Sequence, residues 1–418
     1  MSSAQRILSE TFGYDKFRLN QLEVIETLLA GKNTLVIMPT AGGKSLCYQI
    51  PAMVLDGVGI VISPLISLMQ DQVSALQKLG VRAAFLNSTQ SSFEQKEVIE
   101  QLLAGELDLL YISPERLVMP ETFELLDQAK LALFAIDEAH CISEWGHDFR
   151  KEYRQLSVLY ERYPQTPRIA VSATADQCTR KEIAEQLQLT NAPQFISSFD
   201  RPNISYTIGK SGKQLDQLWQ YLQQNHPNSS GIIYCRSRKQ VEETVDWLSS
   251  KGRLSLPYHA GLDASYRQQN QQWFMREDNL IMVATIAFGL GVDKPNVRFV
   301  AHLYLPKSIE NYYQETGRAG RDGKPAEAWL HYSINDISLS QYWVKNSEAK
   351  ATHQQSQQQK LGDIIKFCRS RKCRRQVLLR HFSETLPKPC GNCDNCRRVL
   401  SWHRLKGLLK QINGQFFR

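Results

Sequence analysis

Two consecutive α/β lobes, each a parallel sheet covered by helices, then a small, basic, cysteine-rich module: this is the fold class the 418-residue sequence predicts. Three observations predict it. Short, almost wholly apolar runs alternate with longer amphipathic stretches, the pattern of strands buried on both faces. The alternation lapses once, around residues 200–213, and then restarts. Five of the nine cysteines crowd into the 29 residues from Cys368 to Cys396.

In the first lobe TLVIMP (34–39), GIVISP (59–64), LDLLYISPE (107–115), LALFAIDE (131–138) and RIAVSAT (168–174) read as strands, with helical stretches such as 65–79 between them. DRPNISYTIGKSGK (200–213) is rich in Pro, Asn, Ser and Gly and reads as a hinge or linker. The second lobe follows with GIIYCRS (231–237), LPYHAG (256–261), LIMVAT (280–285) and VRFVAHLYLP (297–306). Residues 347–360 are polar and Gln-rich, an exposed helix or connector, and no solenoid repeat is present. The expected divisions are 1–203, 204–340, a helical module over 341–398 and a short basic tail over 399–418. Ligands of parallel sheets bind beyond the C-terminal ends of the strands. The chemically loaded residues of this sequence stand at those ends.

Hydrophobic residues make up 42% and charged residues 22%, an ordinary globular balance that argues against a disordered chain. No apolar run approaches the ~18–20 residues that span a bilayer, so no membrane protein is expected. The charged first residues do not form an apolar signal segment, so secretion is not expected either. The net charge of +8 is unevenly spread. From Lys366 onward there are fourteen Lys or Arg against two acids, a local +12 that leaves −4 for the first 365 residues. Such a block points to a polyanion, nucleic acid before membrane; a solvated basic tail would look the same. Cys47, Cys141, Cys178 and Cys235 lie scattered in apolar surroundings and read as buried thiols.

MPTAGGKS (38–45) stands between a strand and an apolar helical stretch. A glycine-rich turn there aims backbone N–H groups at phosphate oxygens, so Thr40, Gly42 and Gly43 would cradle a nucleotide. Lys44 would reach the outer phosphates and Ser45 would ligate magnesium. The strict pattern fails at its first position, Met38, and a glycine turn without a ligand is the plainer alternative. IDEAH (136–140) ends another strand, 93 residues beyond Lys44. Asp137 can hold magnesium through water, and Glu138 can deprotonate an attacking water. SAT (172–174) ends a third strand and by itself reads as a helix cap.

In YYQETGRAGRDG (312–323), Arg318 and Arg321 are three residues apart, so on a helix they share a face. An arginine placed on a transferring phosphoryl group is worth ~10³–10⁵ in rate. A surface salt-bridge cluster with Glu315 and Asp322 is the competing reading. Thr285, Gly289, Gly291 and Asp293 follow a strand, where they could touch a backbone phosphate or simply form a turn. Cys373, Cys390, Cys393 and Cys396 read C-x16-C-x2-C-x2-C, which suits a closed tetrahedral zinc site, with an iron–sulfur cluster as the runner-up. Cys368 is the obvious candidate to take the place of Cys373 in that set.

These strings, in this order, resemble a superfamily 2 nucleic-acid helicase and specifically the RecQ family of DNA helicases. The resemblance includes FGYDKFRLNQ (12–21), CYQIPA (47–52), SPLISLMQDQ (63–72), SPERL (113–117), DEAHCISEWGHDFR (137–150), FDRPNI (199–204), YCRSR (234–238), YHAGL (258–262), FGLGVDKPNVR (288–298) and QETGRAGRDG (314–323). It implies two RecA-like lobes, ATP-driven 3′→5′ translocation on single-stranded DNA, duplex unwinding, and work in recombination and repair in a bacterial cytoplasm. It further implies that Tyr14 and Arg18 stack on adenine, that Gln21 reads its edge, and that Arg321 is the finger with Arg318 beside the γ-phosphate. EWGHDFR (144–150) matches a loop that couples DNA to hydrolysis, making Trp145, Phe149 and Arg150 the expected DNA contacts. The family places zinc on the four cysteines. Arg369, Arg371, Lys372, Arg374 and Arg375 are then expected to face duplex phosphate.

The sequence departs from the family pattern at Ala41, where glycine is usual, and at Lys151, where proline is usual. No winged-helix domain is expected in the residues after Cys396. The expected partners are single-stranded and forked or duplex DNA, with ATP, magnesium and zinc as cofactors, no membrane, and a monomeric chain. A nucleotide-holding protein without turnover, and a translocase that unwinds poorly or acts on RNA, are the alternatives.

Overall fold

The computed structural model of the chain describes residues 2–39, 42–143, 150–209, 212–288, 294–347 and 351–399. Thr40, Ala41, Trp145, Phe149, Gly289, Gly291, Asp293 and the tail from residue 400 therefore lie outside the described residues. The chain divides into two compact units, Met1–Ser198 and Phe199–Arg418.

The first unit is built on seven strands: β1 Thr34–Ile37, β2 Val58–Ile62, β3 Ala83–Leu86, β4 Leu109–Ile112, β5 Leu131–Ile136, β6 Arg168–Ser172 and β7 Gln194–Ile196. They lie in the order β3-β4-β2-β5-β6-β1-β7, and all the pairings are parallel. β1 (TLVI) and β2 (VGIVI) are buried at every position because helices cover both faces of the sheet. Val36, Val61, Leu109, Leu133 and Ile169 form one core on a single face. The helix Ile66–Lys78 is among the crossovers that make a parallel sheet possible.

The second unit repeats the plan with β8 Ile204–Gly209, β9 Gly231–Tyr234, β10 Ser255–Tyr258, β11 Ile281–Ala284, β12 Phe299–His302 and β13 Ala326–His331, in the order β10-β11-β9-β12-β13-β8. β8 falls inside the stretch read as a linker. It is the edge strand and pairs parallel with β13 along its whole length. Its Pro-Asn-Ser surroundings describe the turn that enters the strand, and ISYTIG alternates as an edge strand should. The Gln-rich connector is a helix, Ala351–Arg369. Of the four cysteines read as buried thiols, Cys178 is exposed and the other three are buried.

Gly231 pairs with Phe299 across β9 and β12, and a Cβ at Gly231 would run into the Phe299 ring. The aromatic thus lies against bare backbone, a packing that only glycine allows. Replacing Gly231 by Ala should destabilise the protein by about 1–3 kcal/mol through overpacking, read as a lower midpoint in urea denaturation.

Candidate functional site

The loaded loops of the first unit leave three neighbouring strands, β5, β6 and β1, at their C-terminal ends. Ile37 sits in register with Ser172, and Ile136 with Ala170. The adjacency brings the phosphate loop, the SAT segment and the DEAH segment to one edge.

After β1, Gly43 has φ of +76°, in the left-handed region that glycine enters without steric cost. A Cβ there would collide with the Gln21 amide. Gln21 is 2% exposed. Its Nε2 donates to the carbonyls of Gly42 (3.3 Å) and Gly43 (3.0 Å), and its Oε1 accepts from the Arg18 N–H (2.8 Å). The residue expected at the adenine edge thus also braces the loop. The Arg18 guanidinium lies 5.7 Å from the centre of the Tyr14 ring, and both residues face solvent. Lys44 and Ser45 are half-buried, and Ser45 starts the helix Leu46–Val54 without spending its hydroxyl on a cap. Met38, the departure from the strict phosphate-loop pattern, is fully buried.

After β5, Asp137 and Glu138 are both buried. Asp137 is fixed on three sides. Its N–H donates to Ile62 (2.9 Å), its carbonyl accepts from the Tyr153 hydroxyl (2.8 Å), and its Oδ1 accepts from the Glu138 N–H (2.9 Å). Burial first, and then the charge of Glu138, push the Asp137 carboxyl above the usual carboxylate range, while Lys44 opposes them. A buried acidic pair with a lysine nearby is a donor set that fits magnesium bound to phosphates. Glu138 has φ 47° and ψ 45°, a left-handed conformation that costs a non-glycine residue about 1–3 kcal/mol.

Sequence reasoning missed the partner of this turn. His140, 1% exposed, has Nδ1 3.0 Å from Ser172 Oγ and 3.3 Å from a Glu138 carboxylate oxygen. Ser172 Oγ also donates to the Thr174 carbonyl (3.2 Å). The SAT serine therefore links β6 to the DEAH turn and caps no helix. The available signal was that both motifs end strands, but their adjacency is a matter of sheet order. Arg150, from the expected DNA loop, is partly exposed and holds Glu115 at 3.5 Å. Trp145 and Phe149 lie outside the described residues.

In the second unit the helix Ile309–Thr316 ends before Arg318, so the two arginines lie on a loop and not on a helix face. Arg318 is 4% exposed, and Arg321 is partly exposed. The salt-bridge alternative loses its acids to other partners. Glu315 is held by His302 (2.7 Å) and Tyr304 (3.3 Å), and Asp322 by both oxygens on Arg298 (2.7 and 2.8 Å). Thr285 Oγ1 accepts from the Ala287 N–H (3.4 Å) at the end of β11, a turn-forming bond.

The four cysteines Cys373, Cys390, Cys393 and Cys396 bring their sulfurs within 4.8 Å of one another, and Cys368 is not among them. Backbone N–H groups already point at three of these atoms: Cys390 to Cys373 Sγ, Arg374 to Cys393 Sγ and Cys393 to Cys390 Sγ, at 3.2–3.4 Å. The Cys390 thiol is lowered, chiefly by its hydrogen bond with Cys393. Four close sulfurs with donors aimed at them fit a tetrahedral structural zinc.

Two of the arginines expected on DNA are structural instead. Arg374, 4% exposed, binds both oxygens of Asp394 (2.9 and 3.0 Å) and the carbonyls of Phe367, Cys368 and Ser370. Arg375, 6% exposed, reaches the carbonyls of Pro202 (2.9 Å) and Ile204 (3.0 Å) and stands 3.3 Å from Asp200. The module lies along the edge strand. Ile208 N–H donates to Asp394 (3.3 Å), Ser205 Oγ to the Asn392 carbonyl (2.8 Å), and Arg397 to Ser205 and Thr207 (3.0 and 3.2 Å). Arg369, Arg371 and Lys372 remain exposed.

Replacing Arg374 by Ala strands a buried Asp394 and should cost about 3–5 kcal/mol, whereas Arg371→Ala should stay within about 0.5 kcal/mol. Urea denaturation of zinc-loaded protein measures both. Chelating the zinc should unfold the module and weaken the cover on β8, seen as faster amide exchange in residues 204–209.

Residues 18–183 match the DEAD/DEAH box helicase model, 213–323 the helicase conserved C-terminal domain and 334–397 the RecQ zinc-binding model. The ATP-dependent DNA helicase RecQ of Haemophilus influenzae is 49% identical over 94% of this chain and 63% of its own length. That of Bacillus subtilis is 42% identical over 96% of this chain and 68% of its own. The chain thus spans under two thirds of the length of the Haemophilus protein. Among solved structures, the Mycobacterium smegmatis helicase Lhr bound to ssDNA and AMP-PNP superposes with a TM-score of 0.62 at 18% identity, over 88% of this chain and 57% of the other, a likeness of fold. With 42% identity to the Bacillus protein over 96% of this chain and 68% of that one, and with the zinc-binding model matched over residues 334–397, the chain belongs to the RecQ family.

Proposed function

We propose that the chain is an ATP-dependent 3′→5′ DNA helicase, coupling ATP hydrolysis to translocation on single-stranded DNA and to duplex unwinding in recombination and repair. The observation that carries the reading is the edge shared by β1, β5 and β6. There a glycine-braced loop with Lys44 lies beside a buried Asp137–Glu138 pair.

In this reading Thr40, Gly42, Gly43 and Lys44 hold the phosphates, and Tyr14, Arg18 and Gln21 hold the adenine. Ser45 and Asp137 hold magnesium, which would neutralise charge on the transferring phosphoryl group. Glu138 accepts a proton from the attacking water, and Arg318 and Arg321 meet the developing charge. Trp145, Phe149 and Arg150 contact single-stranded DNA, while Arg369, Arg371 and Lys372 meet phosphates of a fork or duplex. The functional divisions would be 1–203, 204–340 and 341–398. The protein works as a monomer on bacterial cytoplasmic DNA.

ATP turnover stimulated by single-stranded DNA, together with unwinding of a forked duplex, tests the proposal; no stimulated turnover defeats it. Lys44→Ala should abolish hydrolysis. Glu138→Gln should keep ATP binding while lowering kcat by roughly 10²–10⁴-fold. Arg321→Ala should lower kcat by about 10³-fold or more. Duplex affinity should fall steeply with salt, and less steeply in Arg371→Ala/Lys372→Ala, measured by fluorescence anisotropy across a salt series.

A further inference from the structure

The loop that carries Arg321 is tied down on both sides of that residue. Arg201, in the turn before β8, donates from Nη1 to the Gly317 carbonyl (3.0 Å) and from Nη2 to the carbonyls of Ala319 (2.9 Å) and Gly320 (3.0 Å). Asn203 Nδ2 donates to the carbonyls of Gly320 (2.8 Å) and Lys324 (2.9 Å), closing the turn from start to end. Gly320 has φ +56°, and a Cβ there would stand 2.5 Å from Asn203 Nδ2, so the glycine and the asparagine require each other. On the far side, Gly320 N–H donates to Val297 (2.8 Å), Asp322 N–H donates to Pro295 (3.2 Å), and Arg298 grips the Asp322 carboxylate. Arg375 in turn holds the backbone of residues 202 and 204.

We propose that Arg201 and Asn203 are positioning residues for the arginine finger: they hold the Gly317–Lys324 loop in the one conformation that presents Arg321 for phosphoryl transfer. The proposal rests on the finger role given to Arg321 under the function proposed above. Its physical basis is that turn carbonyls have no strand or helix to satisfy them, so a guanidinium and an amide that collect four of them set the shape of the loop. Neither side chain touches nucleotide in this scheme, and their effect passes through Arg321 alone. A misplacement of about 1 Å at a reacting group can cost roughly 10²-fold in rate.

The test uses the full chain with zinc bound and compares the parent with Arg201→Ala, Asn203→Ala, Arg321→Ala and Arg201→Ala/Arg321→Ala. Two readouts are taken: steady-state kinetics with saturating single-stranded DNA, and hydrogen exchange of the amides in 317–324. The proposal expects faster exchange confined to 317–324 in both single clamp variants. It expects kcat to fall by about 10²-fold in Arg201→Ala and by less in Asn203→Ala, with KM for ATP and the Kd for single-stranded DNA within twofold of the parent. The double variant should be no slower than Arg321→Ala. Unchanged exchange, unchanged kcat, or losses that multiply in the double variant would overturn it. If Arg201→Ala does not fold, Asn203→Ala decides by the same criteria. A parent that hydrolyses no ATP would refute the function proposed above, and the exchange measurement would still decide whether the clamp shapes the loop.

Discussion

A strand that runs parallel to its neighbour must be reached by a crossover, so every strand of a parallel sheet releases its chain at the same edge. This constraint governs both units. In the first, it sets Gly43, Lys44, Asp137 and Ser172 at one edge although up to 129 positions separate them in the chain. In the second, it leaves β8 as an outer strand with one side of its backbone unpaired by the sheet. The site and the cysteine module are two answers to one geometry, the first exploiting the loop edge and the second covering the lateral edge.

Much of this was legible in the sequence, for physical reasons. Strands buried on both faces are apolar along most of their length, so β1, β2, β5 and β6 announce themselves, and the loops after them carry their motifs in plain view. Four cysteines at tight spacing declare a metal module. What escaped was everything set by partners distant in the chain. β3 and β7 are short outer strands of four and three residues, without a long apolar run. β8 hides among turn-forming residues because an edge strand needs to be apolar on only one side. Ser172 reads as a cap until the sheet order sets it beside His140.

The arginines teach the same lesson from the side of charge. A run such as RSRKCRR looks uniformly solvated in one dimension, and nucleic acid is its natural counterpart. In three dimensions Arg374 and Arg375 turn inward, because a buried Asp394 and a row of free carbonyls demand donors. Their neighbours Arg369, Arg371 and Lys372 stay outside. Charge counted along the sequence therefore overstates the basic surface, and only burial sorts structural cations from those left for a ligand.

The contacts from Asp394, Asn392 and Arg397 to β8 carry a consequence for how such a chain can be divided. An outer strand stripped of its cover presents a ladder of unsatisfied amides and carbonyls, a ready template for the same strand of another molecule. A fragment ending after β13 would keep its nucleotide loops and its six-stranded sheet, yet it would tend to self-associate through that bare flank. The cysteine module, through Asn392, Asp394 and Arg397, covers the flank of the sheet that such a fragment would leave bare.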